Sequence, residues 1–161
     1  MNKLITLFLL GCFSTVALAQ VPVEVIPANE QAAWLQSDNP QNAADKKLVY
    51  DFWRKALVAR DMDAARMMLA EDYIQHNPNV PTGRAPFIQF FGMAPQQEEL
   101  PYIADLVSII AENGYVTMGL KREMPNPNMP GQNYTTTWFD MFRVENGVIA
   151  EHWDYGTIQA R

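Results

Sequence analysis

The last third of the chain alternates apolar and polar residues with a period of two. Residues 102–111, 115–122, 134–144 and 148–158 read as four β-strands. Asn113-Gly114 and Asn146-Gly147 separate strand pairs, and Asn-Gly between alternating runs is the strongest short-range hairpin signal. Residues 123–133 (EMPNPNMPGQN) hold three prolines and a glycine and predict a long connecting loop. The first half has a different period. Val49, Phe52, Trp53, Ala56 and Leu57 fall on one face of a helix over residues 43–58. Asp61 is placed to cap a second, short helix running through Leu69. A third helix is expected from Gly83 or Arg84, with Pro86 tolerated in its first turn and Phe87, Ile88, Phe90 and Phe91 on its buried side. Helices first and an antiparallel meander second predict an α+β domain, with about three N-terminal helices packed on one face of a curved antiparallel sheet.

The start of the chain follows neither pattern. Lys3, the apolar run Leu4–Leu10 and the small-x-small site Ala17-Leu18-Ala19 read as a signal peptide over residues 1–19. An exported protein, periplasmic or secreted, is the expectation. A rival reading makes Leu9-Leu10-Gly11-Cys12 a lipidation box. Residues 20–42 carry Pro22, Pro27 and Pro40 with little periodicity and are expected to form an N-terminal arm, leaving 43–161 as the domain. No other segment has the roughly eighteen apolar residues of a spanning helix.

Composition narrows the chemistry. Cys12 is the one cysteine, so cleavage after Ala19 excludes disulfides, thiol nucleophiles and Cys-based zinc sites from the mature chain. The formal charge is −6, and loss of Lys3 makes it one unit more negative. An acidic chain without a basic run is a poor nucleic-acid binder.

What remains is a small set of proton-moving residues among aromatics. Asp140, His152 and Asp154 lie in the last two strands, and burying charge is costly unless it is paired or used. Trp138, Asp140 and Phe142 share one strand face, and so do His152 and Asp154. A two-residue loop at Asn146-Gly147 pairs Val144 with Ile149 and sets Asp140 opposite Trp153. A three-residue loop, Glu145-Asn146-Gly147, pairs Val144 with Val148 and Asp140 with His152. We favour the second, which gathers Trp138, Asp140, His152 and Asp154 on one face and turns Arg143, Glu151 and Trp153 to the other. The second of the two histidines, His76, stands in the polar segment Tyr73-Ile74-Gln75-His76-Asn77-Pro78-Asn79.

His76-Asn77-Pro78, Gly83-Arg84 leading into Phe87, and the run from Phe139 to Asp154 (FDMFRVENGVIAEHWD) resemble the SnoaL-like polyketide cyclase family. The resemblance covers roughly Ala43 to Ile158. It implies the cone-shaped α+β half barrel shared with nuclear transport factor two and ketosteroid isomerase, with the helices on the concave face. It also implies an aspartate that acts as acid and base in an aldol closure, without metal or cofactor. Asp140 matches that aspartate by position. His152 and Asp154 match the family's HWD, and His76 and Asn77 its pocket-mouth pair. Many relatives carry a histidine in the strand that here reads Val116-Thr117-Met118-Gly119, and Met118 or Gly119 stands near its place.

The expected site therefore has Asp140, His152 and His76 as catalytic residues. Tyr73, Asn77, Trp138, Asp154, Met118 and Phe87 are expected around the substrate, with no metal and no cofactor. The expected chemistry is proton transfer at carbon next to a carbonyl in a small apolar molecule: aldol-type cyclisation, isomerisation or dehydration. Two other readings stand beside it. One is a non-catalytic binder of a small hydrophobic molecule. The other is a homodimer or scaffold module, built on an outer sheet face bearing Phe139, Met141 and Trp153.

Overall fold

The computed structural model of the protein describes residues 21–158. The expected leader, the lipidation box at Cys12 and the cleavage site lie outside the described residues. The described residues hold four helices: α1 (Gln31–Trp34), α2 (Pro40–Phe52), α3 (Met62–Met68) and, after the first strand, α4 (Arg84–Phe91), with a π-helical turn, Trp53–Val58, continuing α2. Five strands make one curved sheet: β1 (Leu69–Gln75), β2 (Leu106–Glu112), β3 (Tyr115–Pro125), β4 (Asn133–Glu145) and β5 (Val148–Asp154), in the order β1-β5-β4-β3-β2. The architecture is the expected α+β half barrel, with helices packed into the concave side of the sheet. No helix among the described residues is long and apolar enough to cross a membrane.

The local signals act as physical chemistry requires. Asp61 caps α3, its Oδ1 accepting from the amides of Asp63 and Ala64 at 3.0 Å. Asn113-Gly114 and Asn146-Gly147 close their hairpins with both residues at positive φ, 53° and 78° in the first and 52° and 76° in the second. Gly83, at φ 95°, turns the chain into α4, and Pro86 falls in that helix's first turn.

Three expectations need correcting: the direction of the sheet, the start of the long helix and the extent of the loop. The sheet is not wholly antiparallel, because β1 runs parallel to β5. β1 escaped the sequence pattern because its register breaks between Leu69 and Ile74, so the acidic pair Glu71-Asp72 interrupts the alternation. The long helix starts at Pro40 rather than Ala43: Asn39 caps it by accepting from Gln41 N–H at 2.9 Å, with Pro40 in its first turn. The arm before it is tied down by Ile26 N–H to Leu106 C=O (2.7 Å) and by buried Gln31, which bonds both Ile26 and Ile103. The loop expected at 123–133 shrinks to 126–132, because β3 and β4 stay paired as far as Pro125 and Asn133.

The core fills the hollow between helices and sheet. Val49, Phe52, Leu106, Leu120, Phe142 and Ile149 are inaccessible to solvent, and Phe52 packs against Phe87 and Phe142 with ring centres 5.8 and 6.1 Å apart. Fully burying each such side chain contributes about 2 kcal/mol. Between the helices and the sheet this packing leaves an unfilled volume beside Trp138.

Candidate active site

That volume is a cavity of about 160 Å³. Trp53 and Leu57 line it from the π-helical turn, Phe87 and Phe91 from α4, and Val80 from the loop before α4. The i→i+5 turn carries Trp53 and Leu57 together toward the hollow, a use to which π-turns are often put. Gln75, Arg122, Trp138, Asp140, His152 and Asp154 line it from the sheet.

Asp140 and His152 meet as expected, by a different register. The hairpin loop has two residues, so Glu145 pairs with Val148 and Val144 with Ile149. A bulge then adds Ala150 to β5, so Arg143 pairs with Glu151, Phe142 with His152 and Asp140 with Asp154. The expected Asp140–His152 pairing is thus corrected to a diagonal. The faces are nonetheless those anticipated: Trp138, Asp140, His152 and Asp154 point inward. Arg143 and Glu151 bond on the outside at 2.8 Å.

The carboxylate–imidazole pair is buried, with Asp140 2% and His152 5% exposed. His152 Nε2 lies 3.0 Å from Asp140 Oδ1, and Gln75 Nε2 lies 3.0 Å from His152 Nδ1. The hydrogen positions follow from one backbone amide. Asn77 N–H donates to Gln75 Oε1 (2.9 Å), so the other end of the Gln75 amide, its NH₂, faces His152 and Tyr73. Nδ1 of the neutral ring must then accept, which puts the ring hydrogen on Nε2, donating to Asp140. Phe142 stacks on the imidazole at 4.3 Å and fixes its plane. Asp140 Oδ2 is buried with no hydrogen-bond partner among the described residues. Burial raises the Asp140 carboxyl above its ordinary range, against a smaller lowering by the His152 hydrogen bond.

The remaining expected residues divide between wall, support and exterior. Trp138, Asp154 and Phe87 line the cavity. Asn77 does not; it donates from Nδ2 to Asp154 Oδ1 at 2.7 Å and holds that carboxylate in place. Tyr73 is fully buried behind the wall, where its hydroxyl accepts from Gln75 and desolvation pushes its ionisation far up. Met118 is Asp140's cross-strand partner and is wholly buried in the core, so it fills space rather than facing the cavity. His76 is the main correction. It lies on the outer face, stacked on Trp153 at 4.7 Å and bonded to Glu151 at 3.1 Å. Along β1 its side chain alternates away from Tyr73 and Gln75, and the bond from His76 N–H to His152 C=O (3.0 Å) holds it there.

Gln75 and Arg122 were not singled out from the sequence. Reading Tyr73–Asn77 as a strand would have placed Gln75 inward with Tyr73. Alternation along β3 puts Arg122 on the face of Met118 and Leu120.

Asp140, His152 and Asp154 each offer a ligand atom within 4.8 Å of the others, a cluster that invites a metal ion. The hydrogen bonding does not fit one. With Gln75 donating to Nδ1, the neutral imidazole carries its hydrogen on Nε2 and has no lone pair for a cation. Among the described residues His76, on the far face, belongs to no such cluster.

A half-barrel with a buried carboxylate–imidazole pair in its hollow defines the class of protein. The model of the SnoaL-like domain matches residues 49–152, and the chain belongs to the SnoaL-like family. Among solved structures it is similar to a protein from Jannaschia sp. CCS1 assigned as a SnoaL-like polyketide cyclase. There the identity is 15% and the TM-score 0.53, over 74% of this chain and 90% of that one. It is similar also to an LEH-like epoxide hydrolase of M. tuberculosis (16%, TM-score 0.52, 72% and 84%). A third is a protein of Acidithiobacillus ferrooxidans assigned as a polyketide cyclase (16%, TM-score 0.52, 74% and 90%). These likenesses show the shared fold. No curated protein sequence matches the chain.

Proposed function

We propose that the protein is a cofactor-free acid–base enzyme acting at carbon next to a carbonyl, with Asp140 as the base. The observation that carries this reading is the division of labour within one carboxylate. Oδ1 is held by His152, while Oδ2 is buried without a partner among the described residues, on a side chain that lines the cavity. A buried polar atom left unpaired costs about 1–3 kcal/mol, and such atoms mark functional sites. The raised carboxyl brings the group nearer to the ambient pH at which a base must both take and return a proton.

In the proposed step, the α C–H bond breaks and its proton goes to Asp140 Oδ2. The bonding pair moves toward the carbonyl oxygen, forming an enolate. Return of the proton elsewhere gives isomerisation, attack on a second carbonyl gives aldol closure, and loss of a β-hydroxyl gives dehydration. His152 Nε2–H holds Oδ1 throughout. A cavity of about 160 Å³ suits a small molecule or one end of a larger one. A purely apolar ligand bound there without chemistry would seal the unpaired oxygen against carbon, which disfavours the simple binding reading.

The test is exchange of the α-protons of small 1,3-dicarbonyl compounds in D₂O, followed by NMR. Wild-type protein is expected to speed exchange, and Asp140→Asn, verified as folded, to slow it at least about 100-fold. Equal exchange by the two proteins refutes the assignment.

The proposal includes export, supported by the leader-like residues 1–19. It also includes self-association through the outer sheet face, where Ile110 and Phe139 are 63% and 58% exposed. A monomer at micromolar concentration by light scattering removes the latter.

A further inference from the structure

Arg122 is the cation lining the cavity, and its donors make no hydrogen bond among the described residues. Its nearest carboxylate, Asp105, is 3.7 Å away, beyond hydrogen-bonding distance. Among the described residues none accepts a hydrogen bond from its guanidinium. Trp138 supports it from below, with the guanidinium carbon 5.9 Å from the ring centre. Arg122 pairs with Thr136 and Met118 with Asp140, so Arg122 and Asp140 lie on the same inward face, four residues apart along the strands. That is about 13 Å between backbones, part of which the long arginine side chain spans. One cavity is thus lined by Asp140, one of whose oxygens has no hydrogen-bond partner among the described residues, and by Arg122, whose guanidinium donates no hydrogen bond there and has the longer ion pair with Asp105 as its charge contact.

We propose that Arg122 is a second catalytic residue, which takes the substrate's carbonyl oxygen and stabilises the enolate that forms there. The inference rests on Asp140 acting as base, and charge conservation then supplies its logic. When Asp140 gains a proton its end of the cavity loses a negative charge. The same charge arrives on the substrate oxygen beside Arg122. A fixed donor whose attraction strengthens as charge develops lowers the barrier rather than merely tightening binding. The substrate class follows: a small, neutral carbonyl compound with its acidic carbon toward Asp140 and its oxygen toward the Arg122 end. An added carboxylate would meet Asp140 and Asp154.

The intermediate has a neutral residue 140 and an oxyanion, a state reproduced by Asp140→Asn with bound 4-nitrophenolate. Phenolate binding, followed by absorbance, is expected to be at least tenfold tighter to D140N than to wild type. Adding Arg122→Gln to D140N is expected to lose at least tenfold of that affinity, and Arg122→Lys, which keeps the charge without the fork, to lose less. Arg122 is 41% exposed, so both changes spare the core. Equal phenolate affinity of D140N and D140N/R122Q overturns the role of Arg122 and leaves Asp140 untouched. No gain from wild type to D140N overturns the base reading and this inference together.

Discussion

His152 Nε2 lies 3.0 Å from Asp140 Oδ1 although the two residues are not partners in the sheet. Asp140 faces Asp154, His152 faces Phe142, and the contact is a diagonal created by the extra residue Ala150. Without that bulge the two-residue turn would set Asp140 opposite Trp153 and send His152 to the outer surface. One inserted residue therefore decides whether the carboxylate and the imidazole meet.

The first prediction concerns what Asp140 does to stability. Its carboxyl titrates above the ordinary value because burial disfavours the charged form. Below the ordinary value both native and unfolded states are protonated, and the group contributes nothing. As the pH rises through the raised native value, the fold must keep a buried carboxylate that the unfolded chain would solvate, so stability falls. Asp140→Asn is accordingly expected to be more stable than wild type near neutral pH, with a higher Tm. The difference should close as the pH drops below the ordinary carboxyl range. Calorimetry at the two pH values checks this, and an asparagine variant less stable at neutral pH contradicts it. The acid limb of the wild-type pH–rate profile should likewise lie above the ordinary aspartate value, since only the carboxylate accepts a proton.

Gln75 should act through the tautomer of His152. Its amide is fixed at one end by Asn77 N–H and donates at the other to Nδ1. Gln75→Leu removes the donor that excludes the Nδ1–H form, in which Nε2 would present a lone pair to Asp140 Oδ1. Proton exchange at the substrate is expected to fall about tenfold or more, because an Nδ1–H ring no longer donates to the carboxylate that acts as base. Ring ¹⁵N shifts should show a pure Nε2–H imidazole in the wild type and a mixture in the variant. A wild-type Nδ1–H ring would contradict the hydrogen assignment.

What was legible in the chain divides along the same physical lines. Both Asn-Gly turns, the Asp61 cap, the Gly83 entry and the inward set Trp138-Asp140-His152-Asp154 are local or period-two features, and local chemistry specifies them. The route to that inward set was not legible, because a two-residue turn with a bulge and a three-residue turn leave the same side chains on the same face. β1 was hidden for a related reason. Its partner β5 is about eighty residues away, and its own bulge spoils the alternation. Missing β1 is what misplaced His76, since only strand alternation separates it from Gln75 and Asn77.

His76 provides the corresponding test. It is half-exposed on the convex side, stacked on Trp153 and bonded to Glu151, with the sheet between it and Asp140. His76→Ala should leave substrate proton exchange within about threefold of wild type and cost no more than about 1 kcal/mol of stability from the lost stack. The Glu151 carboxyl, held low chiefly by its His76 hydrogen bond, should titrate upward in the variant, as carboxyl ¹³C NMR would record. A loss of turnover comparable to that of Asp140→Asn would restore His76 to the chemistry.

The last prediction concerns Gly156, where the chain leaves β5. A Cβ there would stand 2.7 Å from Asn77 Cγ and from Asn77 Oδ1, closer than side chains tolerate. The amide it would displace donates to Asp154 at 2.7 Å and accepts from Asn79 N–H at 2.9 Å. Gly156→Ala should therefore act by pushing Asn77 off the Asp154 carboxylate, costing about 1 kcal/mol on urea denaturation. Asn77→Ala removes the same bond and makes room for the methyl group. If both act through that one contact, the double variant should be little worse than Asn77→Ala alone, a coupling on the order of 1 kcal/mol. Strictly additive losses would mean that Gly156 is required for its own backbone, and that Asp154 is positioned by something other than Asn77.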